Sequence, residues 1–259
     1  MSKEINIIEI FSSIQGEGVY VGYPQIFVRF ADCNLECAYC DTNFQPSENC
    51  RVEVEALSDN FINIENPVST EKLAGIIEKL STFPHHSISL TGGEPLLQTD
   101  YISELLDILD RKYKILLETN GTLPKQLKKI IDKIDIVSMD IKLKSSSGQE
   151  TNWDKHKEFI EIALNNNKEI FIKVVVSSDI TDEEIKNIAE IVYKSNLQFH
   201  KSIPIILQPV SGTENILYTA NIGRLFRLFN SYEFTDSLPR NDGLNIRIIP
   251  QMHKLLNIK

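Results

Sequence analysis

The run Ile170-Phe171-Ile172-Lys173-Val174-Val175-Val176 leads into Thr181-Asp182-Glu183-Glu184 and a helical pattern to Ser195, then into Ile203-Pro204-Ile205-Ile206-Leu207. This stretch decides the fold. Both apolar runs are nearly continuous rather than alternating, as strands covered on both faces tend to be. The acids after Thr181 fall in a helical first turn, where they offset the dipole. A strand, a helix and a second buried strand form a βαβ unit and therefore a parallel pair.

The same alternation extends outward. Strands are predicted at Ile5–Ile10, Ile26–Phe30, Ser87–Thr91, Ile115–Glu118, Ile136–Asp140, Ile170–Val176, Ile203–Pro209 and Ile246–Pro250. Helices are predicted at Thr70–Ser81, Asp100–Lys112, Lys125–Lys133, Asp154–Asn165, Asp182–Ser195 and Asn215–Asn230. The fold class is α/β, with βαβ units wrapped into a partial or complete (β/α) barrel whose chemistry gathers at the carboxyl ends of the strands. The polar stretch 43–68 interrupts the pattern and reads as an excursion, with a small hairpin around Val52–Val54 or as a plain surface loop.

The 259 residues suit one domain, 1–259, with a substantial core. No signal-peptide pattern and no bilayer-length apolar run is present, so a cytoplasmic location with no membrane partner is expected. A net charge of −9 argues against general nucleic-acid affinity. Lys125, Lys128, Lys129 and Lys133 read as a solvated helix face.

Cys33, Cys37 and Cys40 are spaced C-x3-C-x2-C. Three thiolates hold three irons of a [4Fe-4S] cluster and leave the fourth open to a chelating ligand. Zinc, the competing reading, usually takes four ligands. The remaining cysteine, Cys50, lies ten residues on and reads as an ordinary thiol in a polar stretch. A second run, Ser89-Leu90-Thr91-Gly92-Gly93-Glu94-Pro95-Leu96, ends a predicted strand. Its paired glycines let a ligand approach the backbone, and Glu94 offers a carboxylate to an ammonium group. Alone, it is also an ordinary strand-to-helix turn. In the N-terminal run Phe11-Ser12-Ser13-Ile14-Gln15-Gly16-Glu17-Gly18, and at Arg29, polar groups stand in an apolar, glycine-rich context. They form a turn with a surface arginine, or a pocket for a flat, nitrogen-rich anion.

The cysteine triplet together with Gly92-Gly93-Glu94-Pro95 resembles the radical S-adenosylmethionine superfamily. The runs Ile14-Gln15-Gly16-Glu17-Gly18, Pro24 with Phe27 and Arg29, Cys40-Asp41-Thr42, Ser138-Met139-Asp140-Ile141-Lys142, Leu207-Gln208-Pro209 and Pro250-Gln251-Met252-His253-Lys254 narrow the resemblance: together they resemble the 7-carboxy-7-deazaguanine synthase family. It implies a modified (β/α) barrel of the radical S-adenosylmethionine type. It also implies conversion of 6-carboxy-5,6,7,8-tetrahydropterin to 7-carboxy-7-deazaguanine with loss of ammonia, on the route to queuosine and related deazapurines.

The implied site residues follow position by position. Substrate contacts fall on Ile14, Gln15, Gly16, Arg29 and Thr91, with Glu17 added. S-adenosylmethionine contacts fall on Tyr39, Gly93, Glu94, Ser138, Met139, Asp140 and Gln208. The three cysteines hold the cluster, and Thr42 meets Mg2+, with waters and substrate oxygens filling the octahedron. Read without the resemblance, Tyr39 is also a packing residue and Thr42 a turn or cap residue. A flavodoxin or ferredoxin electron donor and a homodimer are further implications. Two alternatives remain. A glycyl-radical activase shares the triplet, but usually continues with His-Asn-Pro where this chain has Asp41-Thr42-Asn43. A zinc- or cluster-binding interaction module leaves the glycine turn without a purpose. Glu118, Lys173 and His253 stay ambiguous, and His85, His86, His156 and His200 read as surface or loop residues.

Overall fold

Strands β7 (Ser87–Gly92), β8 (Ile115–Thr119), β9 (Ile136–Asp140), β10 (Glu169–Val176), β11 (Ile205–Pro209) and β12 (Ile246–Ile248) lie side by side in chain order. All are parallel. β3 (Pro24–Phe30) joins this block in parallel beside β7, and β2 (Ile7–Ile14) pairs antiparallel to β3. These coordinates come from a computed structural model that describes residues 2–40, 43–210, 222–231 and 244–256. With β4 (Asn49–Glu53) and β5 (Phe61–Glu65), the sheet among the described residues runs β12-β11-β10-β9-β8-β7-β3-β2-β4-β5, with β12 and β5 as separate edges, so the expected barrel is partial rather than closed. A second, two-stranded sheet pairs β1 (Glu4–Ile5) with β6 (Val68–Ser69).

The crossovers are helical: α1 (Thr70–Leu80), α2 (Thr99–Ile108), α3 (Pro124–Ile130), α4 (Lys144–Ser147), α5 (Trp153–Asn165), α6 (Asp182–Phe199) and α7 (Ile222–Ser231). A final short turn, α8 (Met252–Leu255), follows β12. Successive longer helices pack on one another and cover one face of the sheet. There Leu73, Ile77, Leu105, Phe159 and Ile188 meet Leu90, Leu117, Val137, Val174 and Leu207 in a single apolar core. Ser69 caps α1 through Lys72 N, and Thr181 with Glu184 forms a capping box on α6.

The 43–68 excursion is mostly structured. β4 (Asn49–Glu53) and β5 (Phe61–Glu65) form an antiparallel hairpin, and β4 adds to β2 in parallel. The hairpin reading holds, and the loop reading fails because Cys50 and Val52 supply an apolar face. Cys50 is therefore fully buried on a strand rather than a thiol in a polar stretch. His156 also departs from expectation. It shares the inner face of α5 with Phe159, Ile160 and Ala163, is fully buried, and is pushed down to about 4 by that burial. The predicted helix at Asn215–Asn230 is seen as Ile222–Ser231, and its earlier residues lie outside the described ones. Lys125, Lys128 and Lys129 are solvated as expected, whereas Lys133 reaches back to Ser103 and Asp107 of α2.

Candidate active site

Side chains alternate faces along a strand, and the inward series of β8, β9, β10 and β11 changes character along its length. Leu116 is followed by Glu118, Ile136 by Ser138 and Asp140, Phe171 by Lys173, and Ile206 by Gln208. The first members, Leu116, Ile136, Phe171 and Ile206, form a small apolar cluster with Val19, Tyr20 and Ile249. The later members, with Arg29 and Thr91, open into a cavity of about 800 Å³ at the carboxyl ends of the strands. The alternation thus builds an apolar plug beneath a polar chamber.

In one part of the chamber, uncharged amide and hydroxyl donors converge on the Glu118 carboxyl group. Its Oε1 accepts from Gln15 Nε2 at 2.9 Å and Ser89 Oγ at 2.9 Å, and its Oε2 accepts from Thr91 Oγ1 at 3.1 Å. Gln15 Nε2 also donates to Gln25 Oε1, and Gln15 Oε1 accepts from Glu17 N. Both polar ends of the Gln15 amide are therefore engaged within the protein. Arg29 donates through Nε to Glu9 at 2.8 Å, and Arg51 of the hairpin approaches Glu9 at 3.6 Å while lying over the Phe61 ring. Both arginines line the cavity beside the stacked Phe11 and Phe27.

The other part is ionic. Lys173 Nζ donates to Glu17 Oε2 at 2.5 Å and lies 3.4 Å from Asp140 Oδ2, which Lys142 approaches at 2.7 Å. Glu17 Oε1 accepts from Gln251 Nε2 at 2.6 Å. Burial alone would raise the Glu17 carboxyl, but Lys173 and the Gln251 hydrogen bond hold it well below the ordinary carboxylate range. Lys142 also sits 5.1 Å from the centre of the Tyr39 ring. A main-chain bond from Met252 N to Gly16 O and the ring of His253 against Gly16 bring residues 251–254 to the cavity wall.

The cysteine loop is fastened to the glycine turn. Gly93 N donates to Phe30 O and Glu94 N to Asp32 O. A β-carbon on Gly93 would lie 1.8 Å from Asp32 O, and one on Gly92, at φ +115°, 2.4 Å from Phe30 O. The glycine pair is thus required by close packing of the turn on the loop, as well as by its place on the cavity wall. Glu94 is fully buried beneath it, with its carboxylate accepting from Leu96 N, Thr119 Oγ1 and Asn120 N. Burial pushes this carboxyl up to about 7, although those donors pull it back.

The structure brings Ile14, Gln15, Gly16, Glu17, Arg29 and Thr91 to the cavity, together with Tyr39, Gly93, Ser138, Asp140, Gln208 and all three cysteines. Two expected contacts are not on its wall. Met139 has the opposite parity to Ser138 and Asp140, so it faces the helices and is fully buried in the core. Glu94 spends its carboxylate on the neighbouring backbone and Thr119 rather than on the chamber. Thr42 lies outside the described residues. Residues that the sequence left unassigned also line the chamber: Glu9, Arg51, Glu118, Lys142, Lys173, Gln251 and His253.

The donor set fits an iron–sulfur cluster and S-adenosylmethionine. Three soft thiol ligands share one cavity. Among the described residues no three His, Cys, Asp or Glu side chains converge closely enough to hold a single ion. Burial pushes the Cys37 thiol up to about 11 and Lys142 pulls it back; a bound metal deprotonates such a thiol outright. Asp140 Oδ1 and Gln208 Oε1 are buried in the same wall without a hydrogen-bond partner. They are unspent acceptors for a ligand rich in N–H and O–H groups.

Comparison with known proteins points the same way. Residues 28–192 match the radical SAM superfamily. The chain is 40% identical over 252 residues to a 7-carboxy-7-deazaguanine synthase of Geobacter sulfurreducens, covering 96% of this chain and 95% of that protein. It is 34% identical over 269 residues to the enzyme of that name from Methanothermobacter thermautotrophicus, covering 98% and 97%. The crystal structure of QueE from Escherichia coli superposes with a TM-score of 0.56 at 22% identity, covering 96% of this chain and 95% of that one. Streptococcus suis SuiB bound to S-adenosylmethionine gives a TM-score of 0.55 at 16% identity, covering 86% and 51%. The two structural likenesses concern the fold. No helix among the described residues is long and apolar enough to cross a membrane.

Proposed function

The chain belongs to the 7-carboxy-7-deazaguanine synthase family of the radical S-adenosylmethionine superfamily, and from this we propose that its chamber converts 6-carboxy-5,6,7,8-tetrahydropterin to 7-carboxy-7-deazaguanine with loss of ammonia. The observation that carries the reading is the convergence of the three cysteines, the glycine turn and the polar ends of the parallel strands on one cavity. The alternative activase reading is not favoured by relatives that bear the synthase name over nearly the full chain.

Cys33, Cys37 and Cys40 would hold the cluster, which together with S-adenosylmethionine would supply the radical chemistry of the reaction. The residues of the chain position and enclose. Asp140 and Gln208 present acceptors to the cofactor, Tyr39 packs against it, and Gly93 and Ser138 complete its wall. Arg29, already held through Nε by Glu9, turns its remaining guanidinium donors to the substrate carboxylate. Ile14, Gln15, Gly16 and Thr91 flank the pterin, with Gln15 held in place by its side-chain and main-chain hydrogen bonds within the protein. Glu17 is a further substrate contact. The apolar plug beneath the chamber and the strap at 251–254 limit the entry of water.

Mg2+ bound at Thr42, reduction by a flavodoxin or ferredoxin, assembly as a homodimer and a cytoplasmic location belong to the same proposal.

The test is anaerobic. Protein reconstituted with iron and sulfide is supplied with dithionite, S-adenosylmethionine, Mg2+ and the tetrahydropterin, and the products are read by mass spectrometry. The expected result is 7-carboxy-7-deazaguanine, lost in Cys37→Ala. Cleavage of S-adenosylmethionine without that product would reject the substrate while keeping the radical chemistry.

A further inference from the structure

Lys173 lies between two groups that the functional reading gives to different ligands. It stands on β10 in register with Asp140 of β9, so the sheet fixes its distance from the cofactor side. Its ammonium bridges Asp140 Oδ2 at 3.4 Å and Glu17 Oε2 at 2.5 Å. Glu17 comes from the turn after β2, next to the Gln15–Gly16 backbone, and is bound in turn by Gln251. Asp140 therefore has its Oδ2 tethered by Lys173 and Lys142, while its Oδ1 remains without a partner. Burial disfavours the charged lysine, but Glu17 and Asp140 more than restore it and hold it protonated well above the ordinary lysine range. A fixed cation shared by two acids from separate elements transmits displacement: moving either acid changes the attraction to the other.

We propose that Lys173 is a positioning residue that couples the two halves of the chamber, so that the substrate, acting through Glu17, sets Asp140 for S-adenosylmethionine. The inference rests on the functional reading above and deepens it. Coupling between two ligands is reciprocal and commonly reaches about 5- to 150-fold in affinity. Its role here is economy of radicals: the cofactor is held in a productive geometry only when the substrate is in place.

The experiment is anaerobic calorimetry on the cluster-loaded protein, measuring affinity for S-adenosylmethionine with and without saturating 6-carboxy-5,6,7,8-tetrahydropterin. Wild type is expected to tighten at least about fivefold, and Lys173→Met to lose that gain. In parallel assays, 5′-deoxyadenosine formed per product should rise in Lys173→Met. Glu17→Gln cuts the same link but leaves Lys173 its Asp140 partner, so it should lose the coupling as well even if Lys173→Met folds poorly. Lys173→Arg, which keeps the charge, should retain part of it. A Lys173→Met or Glu17→Gln protein that keeps wild-type coupling overturns the inference. Wild-type protein that converts the tetrahydropterin but shows no coupling also overturns it, and leaves the functional reading standing. Wild type that neither binds nor converts the tetrahydropterin overturns both.

Discussion

Two residues show how much of the chamber depends on single atoms. Gly93 has no room for a side chain, because a β-carbon would collide with Asp32 O, a backbone atom with no way to rotate aside. Gly93→Ala is expected to cost about 1–3 kcal/mol through forced displacement and to weaken S-adenosylmethionine binding. Urea denaturation and calorimetry read the two effects. Glu17 makes a pH prediction. Its carboxyl is held below the ordinary value of 4.5, so the stability it contributes is present above that value and is lost as the pH falls beneath it. Lys173, raised above its ordinary value of 10.5, contributes fully at neutral pH and loses its share only on the alkaline side. The stability gap between wild type and Glu17→Gln should therefore narrow between pH 4.5 and more acid conditions. A gap that stays constant on acidification would show that the ion pair contributes nothing to folding.

At the scale of elements, the capping box on α6 does more than start a helix. Glu184 Oε2 accepts from Thr181 N while its Oε1 accepts from Ser145 N, so one carboxylate ties α6 to α4. Thr181→Ala is expected to lose about 1 kcal/mol, seen as a lower urea midpoint at unchanged slope, and Glu184→Ala to lose more because Ser145 N also loses its acceptor. The strands and helices were legible in the sequence because buried parallel strands and capped helices leave strong local patterns. The cavity wall was only half legible. Ser87, Ser89 and Thr91 alternate in β7, and Glu118, Ser138, Asp140 and Gln208 share the inward parity of their strands. That parity was readable, and it would have placed Met139 with the helices. The bonds of Gln15 to Glu118, of Glu94 to Thr119 and Asn120, and of Lys173 to Glu17 and Asp140 were not readable, because their partners lie far apart in the chain. His156 and Cys50 were misjudged for a related reason: neither residue type reveals which face of its element meets the core.

For the whole molecule, the apolar core and the cysteine loop are separate. The core is built from the sheet and helices, and from the loop's neighbourhood it includes Phe30 but none of the cysteine-bearing residues 32–40. Removing iron is therefore expected to abolish S-adenosylmethionine cleavage while leaving far-UV circular dichroism essentially unchanged, unlike small domains whose folding depends on a metal. A large loss of helical signal on chelation would contradict this separation. The hairpin of β4 and β5 joins the core through Cys50 and Val52 but lies at the edge of the sheet. It hangs on the far side of β2, yet its Arg51 reaches the chamber. Its connecting turn at 54–60 can lengthen or shorten without disturbing the register of the parallel strands. Over evolutionary time, that leaves one wall of the chamber open to re-cutting: descendants can refit the cation on that wall by editing a surface turn, while the parallel strands and the cysteine loop are inherited intact.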